Sequence, residues 1–233
     1  MNTKSSVPRD PLADHLENFA TISERIAEVA RRLDLLYGPH DWHPYHPPID
    51  QLVVTILSQH TSDTNTDRAF ASLRARFSTW EEVIAAPTGA VADAIRSGGL
   101  ADQKAPRIQG VLVEVLRKVG SFDLTFLRDL PVPEARAWLM QLHGVGPKTA
   151  SCVLLFSLGM PAMPVDTHVH RVARRIGLIG PDVTAEAAHT LLEEALGGDH
   201  ARVYAFHVNM IAHGRAICTA RRPFCERCSL TDC

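Results

Sequence analysis

The chain has 233 residues, of which 45% are hydrophobic and 6% aromatic; this allows a buried core and favours helices over a β-sandwich. A net charge of −2 excludes binding to nucleic acid through overall charge, so any DNA surface must be local. The polar N-terminus has no signal-peptide pattern and no apolar run is long enough for a bilayer, so we expect a cytoplasmic protein without a membrane partner.

The first segment predicts a flexible leader over residues 1–17, followed by a helix. Thr21 and Glu24 have the spacing of a capping box, which would start that helix. Apolar residues then recur at helical spacing: Ile22, Ile26, Val29, Leu33 and Leu36. The prolines of 38–48 cannot continue a helix, so this stretch is predicted to be a linker.

The middle of the chain predicts a series of short helices. The starting residues are expected to be Ser62 or Asp63 for one helix, Ser78 with Glu81 for the next, and Pro87 for a third. Pro106 is expected in the first turn of a long helix that begins near residue 102. Further helices are predicted at 50–59, 131–142, 147–159, 168–176, 184–196 and 200–213. No strand pattern is evident, so the fold is predicted to be all-α.

A glycine-rich turn separates two of the predicted helices. Gly144 and Gly146 flank Val145, and glycine allows positive φ and a close approach to another surface. Amides that begin the second helix could hold a phosphate oxygen, helped by the helix dipole. An ordinary turn between two helices is the alternative interpretation.

Four of the five cysteines lie within the last sixteen residues, at Cys218, Cys225, Cys228 and Cys233. In a cytosolic chain this grouping indicates metal ligation over disulfides. The spacing C-x6-C-x2-C-x4-C suits either a [4Fe–4S] cluster or a zinc ion.

Two sequence motifs in the chain resemble those of a known protein family. LHGVGPKTA (142–150) followed by VDTHVHRV (165–172) resembles the helix-hairpin-helix, Gly/Pro…Asp superfamily of DNA glycosylases, and within it the endonuclease III family. LSQHTSD (57–63) and GGLADQKA (98–105) resemble that family's first-helix motif and intercalating loop. The resemblance implies two helical domains with DNA bound across the cleft between them, here a six-helix domain at 41–160 and a cluster domain at 1–40 plus 161–233.

The resemblance assigns catalysis to Lys148 and Asp166. A neutral amine at Lys148 could attack C1′ of a nucleotide and form a Schiff base, and a helix N-terminus disfavours the lysine cation. The carboxylate of Asp166 could stabilise positive charge on the sugar and help to deprotonate the lysine. The simpler alternatives are a phosphate-binding lysine and a helix N-cap.

The resemblance also implies a [4Fe–4S] cluster on the four cysteines, with a zinc ion or a labile cluster as the alternatives. The family's usual last interval is x5, whereas this chain has x4. In the family the loop between the first two cysteines meets DNA, and here that loop contains Arg221 and Arg222.

Other positions are expected to contact DNA or the damaged base. Leu100 matches the family's wedge, and His60 stands where endonuclease III has a glutamine, with Gln59 one residue earlier. Met140 stands where some members have a glutamate. The predicted DNA-binding set is Gly144, Val145, Gly146, Thr149, Arg171, Arg221, Arg222, Leu100, Gln59 and His60. The predicted pocket set is Ser58, Asp63 and His168.

The sequence thus predicts a bifunctional DNA glycosylase and AP lyase that removes oxidised pyrimidines from duplex DNA. We expect a monomer that acts on the nucleoid. One alternative is a mismatch-specific or narrow-range glycosylase of the same superfamily. The other is a non-catalytic iron–sulfur protein that binds DNA or senses redox state.

Overall fold

The computed structural model describes residues 11–231, with side chains from Ile22 onward. These residues form eleven α-helices and no strand, as the sequence predicts. The helices are α1 (Pro11–Tyr37), α2 (Pro48–Leu57), α3 (Asp63–Arg76), α4 (Trp80–Ala85), α5 (Thr88–Ala94), α6 (Ala101–Val119), α7 (Val132–Met140), α8 (Pro147–Leu158), α9 (Thr167–Arg175), α10 (Ala185–Ala195) and α11 (His200–Ala216). Within this described part, no helix has the length and apolar character needed to cross a membrane.

The chain divides into two compact units. Unit 1 comprises the described residues of Met1–His40 and Val165–Cys233, and unit 2 comprises Asp41–Pro164. The predicted division into a six-helix domain at 41–160 and a cluster domain at 1–40 plus 161–233 stays a prediction.

Unit 2 is built around α2 and α8, which pack against each other. Leu52, Val53 and Ile56 of α2 are fully buried, as are Val153 and Leu154 of α8. Burying one such side chain contributes about 1.5–3 kcal/mol, so these contacts anchor α8 firmly. The N-terminal end of α8, which carries Lys148, is thereby held by the core of the unit.

Helix α6 carries a lysine on its buried face. Lys104 is 3% exposed, and its ammonium donates to the carbonyl oxygens of Leu57 at 2.7 Å and of Gly98 at 2.8 Å. Burial lowers the pKa of Lys104. The two bonds satisfy carbonyls at the end of α2 and in the turn before Leu100, so this side chain joins two segments that the sequence assigns to DNA contact.

Unit 1 packs α11 against both α1 and α9. Ile26, Val29 and Leu33 of α1 are fully buried, as their helical spacing predicts, whereas Leu36 is 50% exposed. Phe206 of α11 is buried as well. The cysteine-containing loop follows directly after α11.

The predicted start of the first helix is wrong. Helix α1 begins at Pro11, so residues 11–17 are not a flexible leader, and Thr21 and Glu24 lie inside the helix where they cannot cap its start. Proline is well suited to a first helical position, because its missing N–H has no intrahelical partner there. The part of the leader prediction that concerns residues 1–10 lies outside the described residues.

Two further starts are shifted. Thr79 with Glu82, in place of Ser78 with Glu81, forms the capping box of α4. Helix α6 starts at Ala101, which puts Pro106 in the second turn and not the first. The proline forfeits only the bond to the carbonyl of the exposed residue Asp102, which water can satisfy. Ser62 caps α3 as predicted, because its hydroxyl accepts from Asn65 N at 3.3 Å.

Candidate active site

The hairpin turn, defined here as residues 141–146, joins α7 to α8. Gly144 has φ +77°, a conformation that favours glycine. Val145 is 5% exposed and its N–H donates to Leu142 O at 3.0 Å, which anchors the turn in the core. Gly146 is the N-cap of α8 and supplies no side-chain cap, so the first amides of α8 can donate hydrogen bonds to an external anion.

Lys148 is the second residue of α8 and is half-buried, in unit 2. Its neighbour Thr149 is 4% exposed. Any contact from Thr149 or Val145 to DNA would therefore use the backbone. Lys148 is different, because its side chain keeps access to solvent at the positive end of a twelve-residue helix.

Asp166 is the N-cap of α9, in unit 1. Its Oδ1 accepts from the amides of His168 and Val169, both at 2.8 Å. The capping role that the sequence allowed is therefore present. Both bonds use the same oxygen, so the cap holds the carboxylate in one orientation without using Oδ2.

Arg171 is engaged inside unit 1. Its guanidinium donates to Cys218 O at 3.0 Å, to Gly214 O at 2.8 Å and to Thr167 O at 3.2 Å. It also lies 3.1 Å from Nδ1 of His168, which must act as the acceptor because arginine has donors only. These four bonds use four of the five N–H groups of the guanidinium, which leaves one on Nη1 for the predicted contact with DNA; that contact stays a prediction.

The turn between α2 and α3 carries three of the predicted site residues, and a fourth follows at the start of α3. The hydroxyl of Ser58 donates to Thr55 O at 2.9 Å, and Oε1 of Gln59 accepts from Nη1 of Arg107 at 2.7 Å. His60 is exposed with φ +55°, and Asp63 is the exposed first residue of α3.

Leu100 is the N-cap of α6, with φ +50° and 46% of its surface exposed. Leu100 and His60 are the non-glycine residues with positive φ in the described part of the chain. This conformation costs an L-residue about 1–2 kcal/mol. Such strain at two exposed side chains agrees with a functional role for both turns.

The cysteine loop is partly described. Cys218 is buried, while Cys225 and Cys228 lie in and beside a 3₁₀ turn at Cys225–Arg227; none of the described cysteines is in a disulfide. The predicted ligand Cys233 lies outside the described residues, and within them no three ligand side chains form a metal-binding group. Arg221 and Arg222 are exposed in the loop between Cys218 and Cys225.

Side-chain nitrogen atoms approach two of the sulfur atoms. Nη1 of Arg175 lies 3.5 Å from Sγ of Cys218, and Nε2 of His213 lies 3.4 Å from Sγ of Cys228. His213 is fully buried, which lowers its pKa and favours the neutral ring. The hydroxyl of Tyr37 lies 3.1 Å from Nδ1 of His213; burial, helped by negative charge at Cys228, raises the pKa of Tyr37. Donors beside sulfur suit thiolate ligands.

Three residues of these networks were not predicted from the sequence: Lys104, Arg107 and His213. Lys104 could have been found, because it falls at helical spacing with the apolar residues Ala101, Ile108 and Val111. Arg107 and His213 carry no such signal, because their partners are distant in the chain.

A glycine pair tests the hairpin geometry. A Cβ added at Gly144 would meet the guanidinium of Arg107 and would require φ +77°, so Gly144→Ala should lower the free energy of unfolding by about 1–3 kcal/mol. A Cβ at Gly146 would meet nothing within 4 Å in an extended backbone, so Gly146→Ala should cost only about 0.5 kcal/mol. Urea denaturation of both variants gives the comparison. Equal losses would show that Gly144 is not under this constraint.

Comparison with known proteins gives a consistent picture. Residues 53–197 match the model of the HhH-GPD superfamily of base excision DNA repair proteins. The chain is 36% identical to endonuclease III of Thermotoga maritima over 210 residues, which is 89% of this chain and 91% of that protein. It is 44% identical over 131 residues to an Arabidopsis thaliana protein named as a candidate DNA glycosylase, of which it spans 45%.

Among solved structures, the chain resembles a trapped covalent intermediate of endonuclease III with DNA. The TM-score is 0.75 at 29% sequence identity, over 89% of this chain and 93% of that one. The sequence match and the structural match thus cover nearly the same share of the chain. The chain belongs to the HhH-GPD superfamily of base excision DNA repair proteins and resembles its endonuclease III members over most of their length.

Proposed function

We propose that this base excision repair protein is a DNA glycosylase with AP lyase activity, which removes a damaged base from duplex DNA and then cleaves the strand. The observation that carries the proposal is the half-buried Lys148 at the start of α8, directly after the hairpin turn. Its amine is the group that a covalent intermediate with DNA requires. A solved relative is described as such a covalent intermediate, which supports this assignment.

Lys148 acts as the nucleophile in this proposal. The lone pair of its amine attacks C1′ of the damaged nucleotide, and the bond to the base breaks as the base leaves with its electron pair and gains a proton. The sugar ring opens to give an imine between Lys148 and C1′. Loss of a proton from C2′ then drives β-elimination of the 3′ phosphate, and water releases the enzyme.

Asp166 acts as the carboxylate partner. As the bond to the base breaks, positive charge develops on the sugar, and a fixed carboxylate stabilises it. The cap at the start of α9 holds the group through Oδ1. Oδ2 is the oxygen that we assign to the sugar cation or to the proton of Lys148.

DNA contacts are assigned to four regions: the hairpin turn, the loop between Cys218 and Cys225, the loop with Leu100 and the turn after α2. The hairpin amides with Arg221 and Arg222 bind phosphates, while Leu100 and His60 fill the space that the flipped nucleotide leaves. Gln59 is assigned to DNA contact as well, and Ser58, Asp63 and His168 are assigned to recognition of the extruded base. The enzyme acts as a monomer on chromosomal DNA in the cytoplasm.

Oxidised pyrimidines are the proposed substrates. A panel of duplexes, each with one defined lesion, tests this choice when base release and nicking are scored separately. Activity on several oxidised pyrimidines supports it. His60 differs from the glutamine of endonuclease III, and Met140 differs from the glutamate of some family members. Activity confined to one lesion or to a mismatch would instead make this a narrow-range enzyme.

The nucleophile is tested by reduction of the imine. Borohydride should trap a covalent complex of the wild-type protein with an abasic duplex, because reduction turns the imine into a stable amine. Lys148→Ala should abolish trapping and leave DNA affinity within about threefold, since a single phosphate contact at most is lost. Lys118→Ala, which changes an exposed lysine on α6, is the matched control and should trap normally. Trapping that persists in Lys148→Ala would place the nucleophile elsewhere.

Two substitutions separate the capping and catalytic roles of Asp166. Asparagine caps a helix about as well as aspartate, so Asp166→Asn should change the free energy of unfolding by less than about 0.5 kcal/mol. The same variant lacks the negative charge and should release base roughly 100-fold more slowly in single turnover. Asp166→Ala should show the same kinetic loss and also lose about 1 kcal/mol of stability. Wild-type rates in Asp166→Asn would leave this residue with the capping role alone.

Four cysteines are proposed to hold a [4Fe–4S] cluster: Cys218, Cys225, Cys228 and Cys233. The described part of the loop fits this, because its three thiols are free of disulfides, the Arg175 guanidinium donates to one sulfur and the His213 ring lies beside another. When bound, the cluster would cross-link the loop after α11. His213 and Arg175 would orient and stabilise the thiolates.

Metal analysis tests the cluster. Anaerobically purified protein should contain about four iron and four sulfide per chain and absorb as an iron–sulfur protein. Cys225→Ser should lose most of the iron and melt at a lower temperature, because metal binding is coupled to folding. Cys152→Ala, a change at a buried cysteine of α8, should keep its iron. One zinc per chain without sulfide would contradict the cluster and support the zinc alternative.

A further inference from the structure

Arg107 connects two segments that the proposed function assigns to DNA. It lies on the second turn of α6 and is half-buried. Its Nη1 donates to Oε1 of Gln59 at 2.7 Å. Its guanidinium also lies against the hairpin turn, since a Cβ on Gly144 would fall 2.7 Å from Nη2 and 2.9 Å from Cζ. One planar cation thus contacts both the turn after α2 and the turn before α8.

The bond to Arg107 determines which end of the Gln59 amide points away from the guanidinium. The two ends of an amide are alike in shape but opposite in hydrogen bonding. Arginine carries donors only, so the oxygen must face Arg107 and the NH2 group must take the other position. Gln59 is half-buried and precedes the exposed His60, and the sequence assigns both residues to DNA contact.

The neighbouring Lys104 makes this arrangement stiff. It lies three residues earlier on α6 and bonds the carbonyl of Leu57, two residues before Gln59. The backbone that enters the turn is therefore held by Lys104, and the side chain of Gln59 is held by Arg107. A side chain that is held both at its backbone and at its terminal amide loses little conformational entropy on binding.

We infer that Arg107 is a positioning residue that orients Gln59 so that the chain offers DNA a hydrogen-bond donor at this position. The inference rests on the proposed function. The ligand is an acceptor atom of the duplex beside the flipped nucleotide, which is either on the edge of the opposite base or on the sugar-phosphate backbone. Both sources are acceptors, and the identity of the opposite base distinguishes them.

Gln59→Glu is the most informative variant. A carboxylate still accepts from Arg107, and the bond becomes charge-assisted, so the link to α6 is kept. The NH2 donor is lost. If Gln59 serves only as a structural partner of Arg107, this variant should equal the wild type; if it offers a donor to DNA, single-turnover base release should fall roughly tenfold, the effect of one hydrogen bond to a fixed group.

Arg107→Ala should give a similar loss of roughly tenfold, because the amide is then free to rotate. In a Gln59→Ala background the further effect of Arg107→Ala should be less than about twofold, since the group that Arg107 positions is absent. Arg117→Ala, which removes an exposed arginine from the same helix, is the control and should match the wild type. Arg107→Met keeps much of the packing but has no N–H donor, so it replaces Arg107→Ala if that variant does not fold.

The decisive measurement is the coupling between residues 59 and 107. Base release is measured on duplexes with each of the four bases opposite the lesion, and affinity is measured in parallel on a duplex with a stable abasic analogue. A loss in Gln59→Glu that varies with the opposite base places the acceptor on that base, whereas a uniform loss places it on the backbone.

Additive effects of the two alanine substitutions, or wild-type behaviour of Gln59→Glu, would overturn the inference. The affinity arm reports the coupling even if the wild type released no base, a result that would count against the proposed function alone.

Discussion

A buried ammonium group holds together the segments on which the proposed chemistry of unit 2 depends. Lys104 joins the last carbonyl of α2 to the carbonyl of Gly98, and in doing so it fixes the turn with Ser58, Gln59 and His60 beside the loop with Leu100. Both segments contain a non-glycine residue at positive φ. Strained turns of this kind persist when surrounding bonds over-determine them, and Lys104 supplies such bonds.

Of the two catalytic candidates, one also caps a helix and the other lies on a helix that is held by the core. Asp166 caps the start of α9 with one carboxylate oxygen, so the same residue stabilises the helix and presents a negative charge. Lys148 occurs in the first turn of α8, where the buried core of α2 and α8 limits backbone movement. Rigid helices position reacting groups better than loops do, because small displacements cost large factors in rate.

In unit 1 a continuous set of hydrogen bonds runs from the start of α9 to the cysteine loop. Asp166 caps the amide of His168, the ring of His168 accepts from Arg171, and Arg171 donates to the carbonyl of Cys218. Arg175 binds the next two carbonyls, those of Thr219 and Ala220. The loop that carries Arg221 and Arg222 is therefore tied to the helix that Asp166 begins.

The sequence by itself determined the all-α class, most of the helices and the two motifs around Lys148 and Asp166, because helical periodicity and glycine turns are local properties. It did not locate the starts of α1, α4 and α6: at α4 the neighbouring Ser78 and Thr79 offer similar caps, and α6 starts after Leu100, which supplies no side-chain cap. Only the tertiary structure decided the partners of Lys104, Arg107, Arg171 and His213. Their bonds join residues far apart in the chain, and no local pattern encodes which carbonyl, amide or sulfur a long side chain will meet.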